Sequence, residues 1–288
     1  ANDAFNAPVV QDNNAGVANT LESFDILDGK GGTDTLNATI NTVAGNVAPV
    51  LMGIENVNLR FTANETVDLT NSSGVTTLKV ANSTDTGTVI GVGSTANLAV
   101  ANQLQNVNFN GSTAATLGLN LDTLGNTTTP TQVLVNLQNQ KATTLNITAN
   151  EAANAQVVGA GVTKTLTVAA TGTNKLDLNE AFNATSVTVT GKGSADLTNN
   201  GAAFNGGGLT TFDASANSGG VKADIQSGKA AVVTAGTGAD TIDMDTTVTA
   251  GTSVALGGGD DKLFTGANLA MFDKGADGGE GTDIINIT

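Results

Sequence analysis

Three stretches of this chain repeat one pattern of glycine and aspartate: AGTGADTI at 235–242, LGGGDDKL at 256–263 and GGEGTDII at 278–285. Each has glycine at its fourth position and aspartate at its sixth, so Asp240, Asp261 and Asp283 recur at a nearly constant interval. Stacked one above another, three such turns would put carboxylates about 5 Å apart. Neighbouring pairs would then repel by about 1–3 kcal/mol in a solvated to half-buried setting. A hard cation removes that repulsion. Two successive turns offer it two carboxylates and backbone carbonyls, which glycine can aim inward because it adopts positive φ at little cost. Gly236, Gly238, Gly257, Gly259, Gly279 and Gly281 are the candidate carbonyl positions. Asp260 and Asp277 flank the turns as further carboxylates. A fourth copy, GKGGTDTL at 29–36, places Gly32 and Asp34 in the same roles.

Turns can stack only if strands position them. One strand series is marked by Leu145, Leu166, Val187, Phe212, Val233 and Val254, evenly spaced except for a longer step before Phe212. A second, between them, is marked by Leu176, Leu197, Val221, Ile242, Leu263 and Ile285, with the same interval and a longer step before Val221. Apolar and polar residues alternate in both, so each strand buries one face. A unit of two short strands has no core of its own and gains one by stacking. The period therefore predicts an all-β, right-handed parallel β-solenoid with loop insertions. An antiparallel sandwich would show no such shared period. The residues expected inside are Leu166, Leu176, Val187, Leu197, Phe212, Ile242, Leu263 and Ile285. The strands expected around Val57, Val67, Leu78 and Val107–Phe109 are less evenly spaced. The wide gaps from Leu78 to Phe109 and from Phe109 to Leu145 predict insertions, chiefly around 111–132, where GNTTTPT reads as loop. In the turns before residue 230 the sixth position holds Asn174, Ala195 and Gly219, with no carboxylate.

Composition narrows the chemistry further. The 288 residues include no His, Cys, Trp or Tyr. A His-dependent triad, a Cys nucleophile, a disulfide and a His/Cys zinc site are thereby excluded. The net charge of −15, from 26 acids and 11 bases, makes nucleic acid and anionic membranes poor partners. Eleven of the acids follow residue 212. No apolar run has the length of a membrane helix, and residues 1–20 have no signal-peptide pattern.

The glycine turns resemble the calcium-binding nonapeptide repeat G-G-x-G-x-D-x-U-x of RTX (haemolysin-type) proteins. GGEGTDIIN matches it fully, AGTGADTID and LGGGDDKLF miss the first glycine, and GKGGTDTLN misses the second. More widely the chain resembles RTX-type bacterial surface-layer (S-layer) proteins, through ESFDILDGKGGTDTLNATI (22–40), LMGIENVNLRFT (51–62), TTLKVAN (76–82), LTTFDASANSGGV (209–221) and the last turns. The resemblance implies an RTX β-roll and Ca²⁺ as cofactor. It also implies type I secretion to the cell surface and self-assembly into a two-dimensional lattice. Attachment to cell-surface polysaccharide would use regions outside this sequence. Ca²⁺ accepts six to eight oxygens in flexible geometry, which suits this ligand set better than Mg²⁺ does. Ions are expected between turns 235–240 and 256–261 and between 256–261 and 278–283. Asp3 and Phe5 fit positions six and eight of a further repeat, which reads as a piece of a longer chain. Asp3 could share a cation with Asp34, and Asp25 and Asp28 are weaker candidates.

Four segments follow from this reading. Residues 1–45 are an N-terminal RTX-type coil region, and 46–141 an irregular solenoid or side lobe with insertions. Residues 142–230 are a regular solenoid without calcium motifs, and 231–288 the calcium-binding β-roll. The expected function is structural, in a surface layer. The alternative is an RTX adhesin or spacer module. An enzyme is not expected, since Asp243 and Asp245 in IDMD read as solvated acids on an outer strand face.

Overall fold

The repeat TLTVAAT at 165–171 shows how these strands form. Its β-branched and apolar residues alternate, and burial alternates with them, Leu166, Val168 and Ala170 inside and Thr165 and Thr171 outside. The same alternation yields 28 strands and no α-helix among the described residues. The structure, a computed structural model, describes all residues except 13–15, 42–44, 126–130, 153, 160, 179–182, 199–207, 227, 245–248, 267–271 and 288. It divides into two compact units, Ala1–Ala142 and Thr143–Thr288. Each is a right-handed parallel β-solenoid.

The first unit contains β1 (Ala4–Ala7), β2 (Val9–Gln11), β3 (Val17–Asn19), β4 (Ile26–Asp28), β5 (Thr35–Ile40), β6 (Val50–Met52) and β7 (Asn56–Phe61). It continues with β8 (Glu65–Asp68), β9 (Thr77–Ala81), β10 (Gly87–Gly93), β11 (Asn97–Gln103), β12 (Val107–Ser112), β13 (Thr116–Leu124) and β14 (Val133–Gln138). One sheet runs β1-β5-β7-β9-β11-β13, all parallel, with Leu36, Val57, Leu78, Leu98 and Leu119 in one buried row. The other runs β8-β10-β12-β14, with Val67, Val89, Phe109 and Leu137 aligned and buried. A short third pair joins β4 to β6. The hairpin β2–β3 is antiparallel, an exception to the parallel rule.

These rows overturn the expected gaps around Phe109. Phe109 does not follow Leu78 in one sheet; it belongs to the other sheet, between Val89 and Leu137. The row after Leu78 continues through Leu98 and Leu119, both in strands absent from the spacing series above. The expected insertion at 111–132 therefore contains strand β13, Thr116–Leu124, whose LGLNL alternates like its neighbours. The loop reading of GNTTTPT falls largely on 126–130, outside the described residues.

The second unit contains β15 (Thr144–Ala152), β16 (Ala155–Val158), β17 (Thr165–Thr171), β18 (Thr173–Asp177), β19 (Ser186–Gly191), β20 (Ser194–Asp196) and β21 (Thr211–Asn217). It ends with β22 (Val221–Asp224), β23 (Val232–Thr234), β24 (Thr241–Met244), β25 (Ser253–Ala255), β26 (Lys262–Thr265), β27 (Ala276–Asp277) and β28 (Ile284–Ile287). Leu145, Leu166, Val187, Phe212, Val233 and Val254 lie opposite one another in the odd-numbered sheet, as their spacing predicts. Burying each such side chain contributes roughly 1.5–3 kcal/mol.

The even-numbered sheet differs from expectation at β22. Val221 pairs with Ala195 and stands level with Asp240, while Ala223 pairs with Ile242. Spacing alone puts Val221, not Ala223, in the row of Ile242. A slip of two preserves the side of the sheet, so Val221 and Ala223 are both buried and the core pattern cannot distinguish the two registers. Ile285 also departs from expectation. It pairs with Leu263, but it is 52% exposed, because no described strand lies on its other side.

Candidate metal centre

The turns between the two sheets of the second unit carry a ladder of side chains. The Asp240 carboxylate accepts the Val221 N–H at 2.6 Å, the Asp261 carboxylate the Asp240 N–H at 2.7 Å, and the Asp283 carboxylate the Asp261 N–H at 3.1 Å. Each sixth-position aspartate thus reaches back one coil and caps the N–H of its counterpart. The parallel register brings these positions level, since Thr241, Lys262 and Ile284 follow them directly in paired strands. Asp240 and Asp261 are buried, and Asp283 is half-buried.

The second carboxylate oxygens differ. Asp240 Oδ2 accepts the Gly236 N–H of its own turn at 3.1 Å. Asp261 Oδ2 is buried without a hydrogen-bond partner. Burial pushes the Asp240 carboxyl up to about 6, against the pull of the Val221 and Gly236 N–H groups. Burial raises Asp261 too, against the Asp240 N–H, and the Asp283 and Asp260 carboxylates add to the rise.

Asn174 gives an internal reference for this place in the coil. Its Oδ1 caps the Ala152 N–H at 2.9 Å, as the aspartates cap their neighbours. Its Nδ2 then donates to Thr171 O of its own turn at 3.0 Å and to Ser194 O of the next coil at 3.1 Å. The amide therefore satisfies both the N–H behind it and the carbonyls around it. Asn217 staples the following turn in a related way, accepting from Gly219 and Gly220 and donating to Gly193 O. An aspartate brings no N–H donor. At Asp261, in the amide's place, one carboxylate oxygen is buried with no hydrogen-bond partner.

The glycines divide by cause. Gly257 and Gly279, at the second position, have φ of 95° and 87°. Gly259 and Gly281, at the fourth, have φ of 124° and 134°, and Gly32 in the first unit has 132°. Gly236 and Gly238 do not have positive φ. They are glycine because a Cβ would collide with Asn217 O and with the Gly220 backbone. Carbonyls also point along the stack, so that a Cβ on Gly257 would strike Gly236 O, and one on Gly281 would strike Gly259 O. Gly236 O and Gly257 O each accept one N–H of the next coil, from Gly258 and Glu280 at 2.9 Å, which leaves each a second lone pair.

The first unit repeats the arrangement. Asp34 caps the Asp3 N–H at 2.6 Å, and its own N–H is capped by Glu55 at 2.7 Å. Asp34 is fully buried, and its Oδ2 has no hydrogen-bond partner. Glu55 follows Asp34 by one period, but its turn keeps only the fourth-position glycine, Gly53 with φ of 61°, and carries glutamate in place of aspartate. Lys30, with φ of 60°, takes the left-handed place of the missing second glycine.

The remaining candidates lie elsewhere. Asp3 is exposed and contributes its N–H. Asp28 is exposed and pairs with Lys30 at 3.0 Å; hydrogen bonds from Lys30 hold its carboxyl below the ordinary value. Asp25 accepts the Glu22 N–H, Asp277 the Gly279 N–H, and exposed Asp260 the Thr282 N–H. Asp243 faces outward in β24, and Asp245 lies outside the described residues. Among the described residues no three carboxylates converge. Any cation held at these turns would have to draw on carbonyls as well as on the two carboxylates of adjacent coils. Comparison of the chain with protein-family models, with curated proteins and with solved structures finds no match.

Proposed function

We propose that the chain is a structural module of a bacterial surface layer, a β-solenoid whose glycine turns are closed by Ca²⁺ outside the cell. The calcium reading is carried by one observation: Asp261 has a buried, unpartnered oxygen where Asn174 supplies its own N–H donors. Asp261 and Asp283, with glycine-region carbonyls, would hold one ion, and Asp34 with Glu55 another. The ion supplies positive charge to buried carboxylates and ties one coil to the next. It has no catalytic step to perform. Because its ligands come together only in the folded coils, its binding energy becomes folding energy. Even affinities of about 10⁻⁴–10⁻³ M suffice in extracellular calcium. The surface-layer reading is supported by the sequence resemblance, and an acidic, Cys-free chain suits it.

Two measurements test the proposal. Calorimetric titration of chelator-treated protein with CaCl₂ should show saturable binding, reduced by Asp261→Asn. Absence of binding would remove the calcium reading. Negative-stain microscopy with calcium should show two-dimensional arrays. Isolated particles that nonetheless bind calcium would overturn the lattice reading and favour a spacer or adhesin module.

A further inference from the structure

The first unit carries a second polar feature, remote in character from the acidic turns. On the outer face of its larger sheet is a groove of about 470 Å³, within the range of small-ligand sites. Asn6, Asn37, Asn58 and Lys79 form one row along it, brought level by the registers of β1, β5, β7 and β9. The three asparagines are linked, Asn37 donating to Asn6 at 3.0 Å and Asn58 to Asn37 at 2.9 Å. Arg60 stands beside the row, its Nε held by Asn82 O at 3.0 Å.

The charge of this groove runs against the rest of the chain. Acids outnumber bases 26 to 11, yet no acid lines it. It holds the single arginine of the sequence together with Lys79, and among the described residues neither is in an ion pair. The Arg60 guanidinium is oriented through Nε, which leaves its other N–H groups for a planar anion. The asparagine row repeats about every 4.8 Å, a step comparable to one pyranose ring. Linked amides present donors and acceptors in series, as a run of sugar hydroxyls requires. A lone inorganic anion would use the cations and leave the row idle.

We propose that this groove binds an acidic carbohydrate of the uronate class. The sugar carboxylate pairs with Arg60 and Lys79, and ring hydroxyls follow the Asn58–Asn37–Asn6 row. The groove uses none of the calcium-turn side chains, although Asn37 and Asn58 follow Asp34 and Glu55 by three residues in β5 and β7. A chain of net charge −15 repels polyanions in general, so such binding needs a local cause.

The test is calorimetric titration of the full chain, in one calcium-containing buffer, with trigalacturonate, monomeric galacturonate and neutral maltotriose. Trigalacturonate should bind more tightly than the monomer, and maltotriose should not bind. Lys79→Gln should weaken trigalacturonate binding about ten- to a hundredfold, as expected for loss of a charge-assisted contact. Asn37→Ala should weaken the trimer and leave the monomer unchanged. Binding should also fade in about 1 M salt, where screening acts within about 3 Å. No binding of trigalacturonate, or binding indifferent to Lys79→Gln, would overturn the proposal. Equal affinity for monomer and trimer would reduce the site to a simple anion site and overturn the role of the asparagine row. Self-association lost in Lys79→Gln, without sugar binding, would assign the groove to an acidic surface of a second copy instead.

Discussion

Asp261 and Asn174 stand at the same level of one strand register, with Ala195, Val221 and Asp240 between them, and differ by one amide group. That difference makes a substitution informative. Asp261→Asn keeps an oxygen for the Asp240 N–H and adds an N–H for nearby carbonyls. In chelator the variant should be more stable than the parent by about 1–3 kcal/mol, the usual cost of an unsatisfied buried polar group. In calcium it should lose the added stability the parent gains. Paired denaturant unfolding curves check both signs. Asp240 supplies a pH dependence. Its folded carboxyl titrates near 6, above the ordinary 3.8, so the folded state binds the proton more tightly than the unfolded chain does. The resulting stability is full below about pH 3.8 and is lost as pH rises through about 6. Without calcium the protein should therefore unfold at higher denaturant at pH 5 than at pH 7.5, by at most about 1.4 kcal/mol from this group. The opposite trend would mean that Asp240 is not the buried acid described.

At the scale of the element, the turns depend on glycines for separable reasons. Gly257 combines φ of 95° with a carbonyl beneath it, whereas a Cβ on Gly31 meets nothing within 4 Å and its φ is not positive. Gly257→Ala should cost well over about 1 kcal/mol, and Gly31→Ala should stay within about 0.5 kcal/mol. Thermal unfolding of the two variants in calcium makes the comparison. The same elements show what sequence periodicity could reach. The odd-numbered row of the second unit is legible from Leu145 to Val254, because each strand has one large apolar residue at a near-constant interval. The row of β22 is not, since Val221 and Ala223 are both small, both buried and on the same side of the strand. Leu98 and Leu119 are masked by Phe109, a larger marker that stands between them in sequence but belongs to the other sheet. Of the candidate centre, the aspartates can be read from glycine spacing. Glu55 is harder to read, because its turn keeps only Gly53 of the glycine pattern and has glutamate for aspartate. Sequence cannot show that Asp240 has both oxygens engaged while Asp261 has one bare.

At the scale of the whole molecule, calcium should act unevenly. The coil around Asn174 is closed by side-chain amide bonds, while the coils after about residue 230 end in carboxylates that repel one another. Hydrogen exchange with and without chelator should show protection lost across 231–288 and around Asp34, and largely kept in 142–200. Uniform loss would mean that every coil depends on the ion, and no change would mean that none does. The parallel register has one more consequence, for the order of events in folding. Within each unit most partners in a sheet are separated by a single coil of chain, from Leu36–Val57 to Ile242–Leu263. No such strand waits for a distant segment to be made. Each coil that forms offers a finished edge to the next, so growth along the chain costs one loop closure at a time. Such a protein can fold progressively, coil upon coil, without first assembling a distant partner strand.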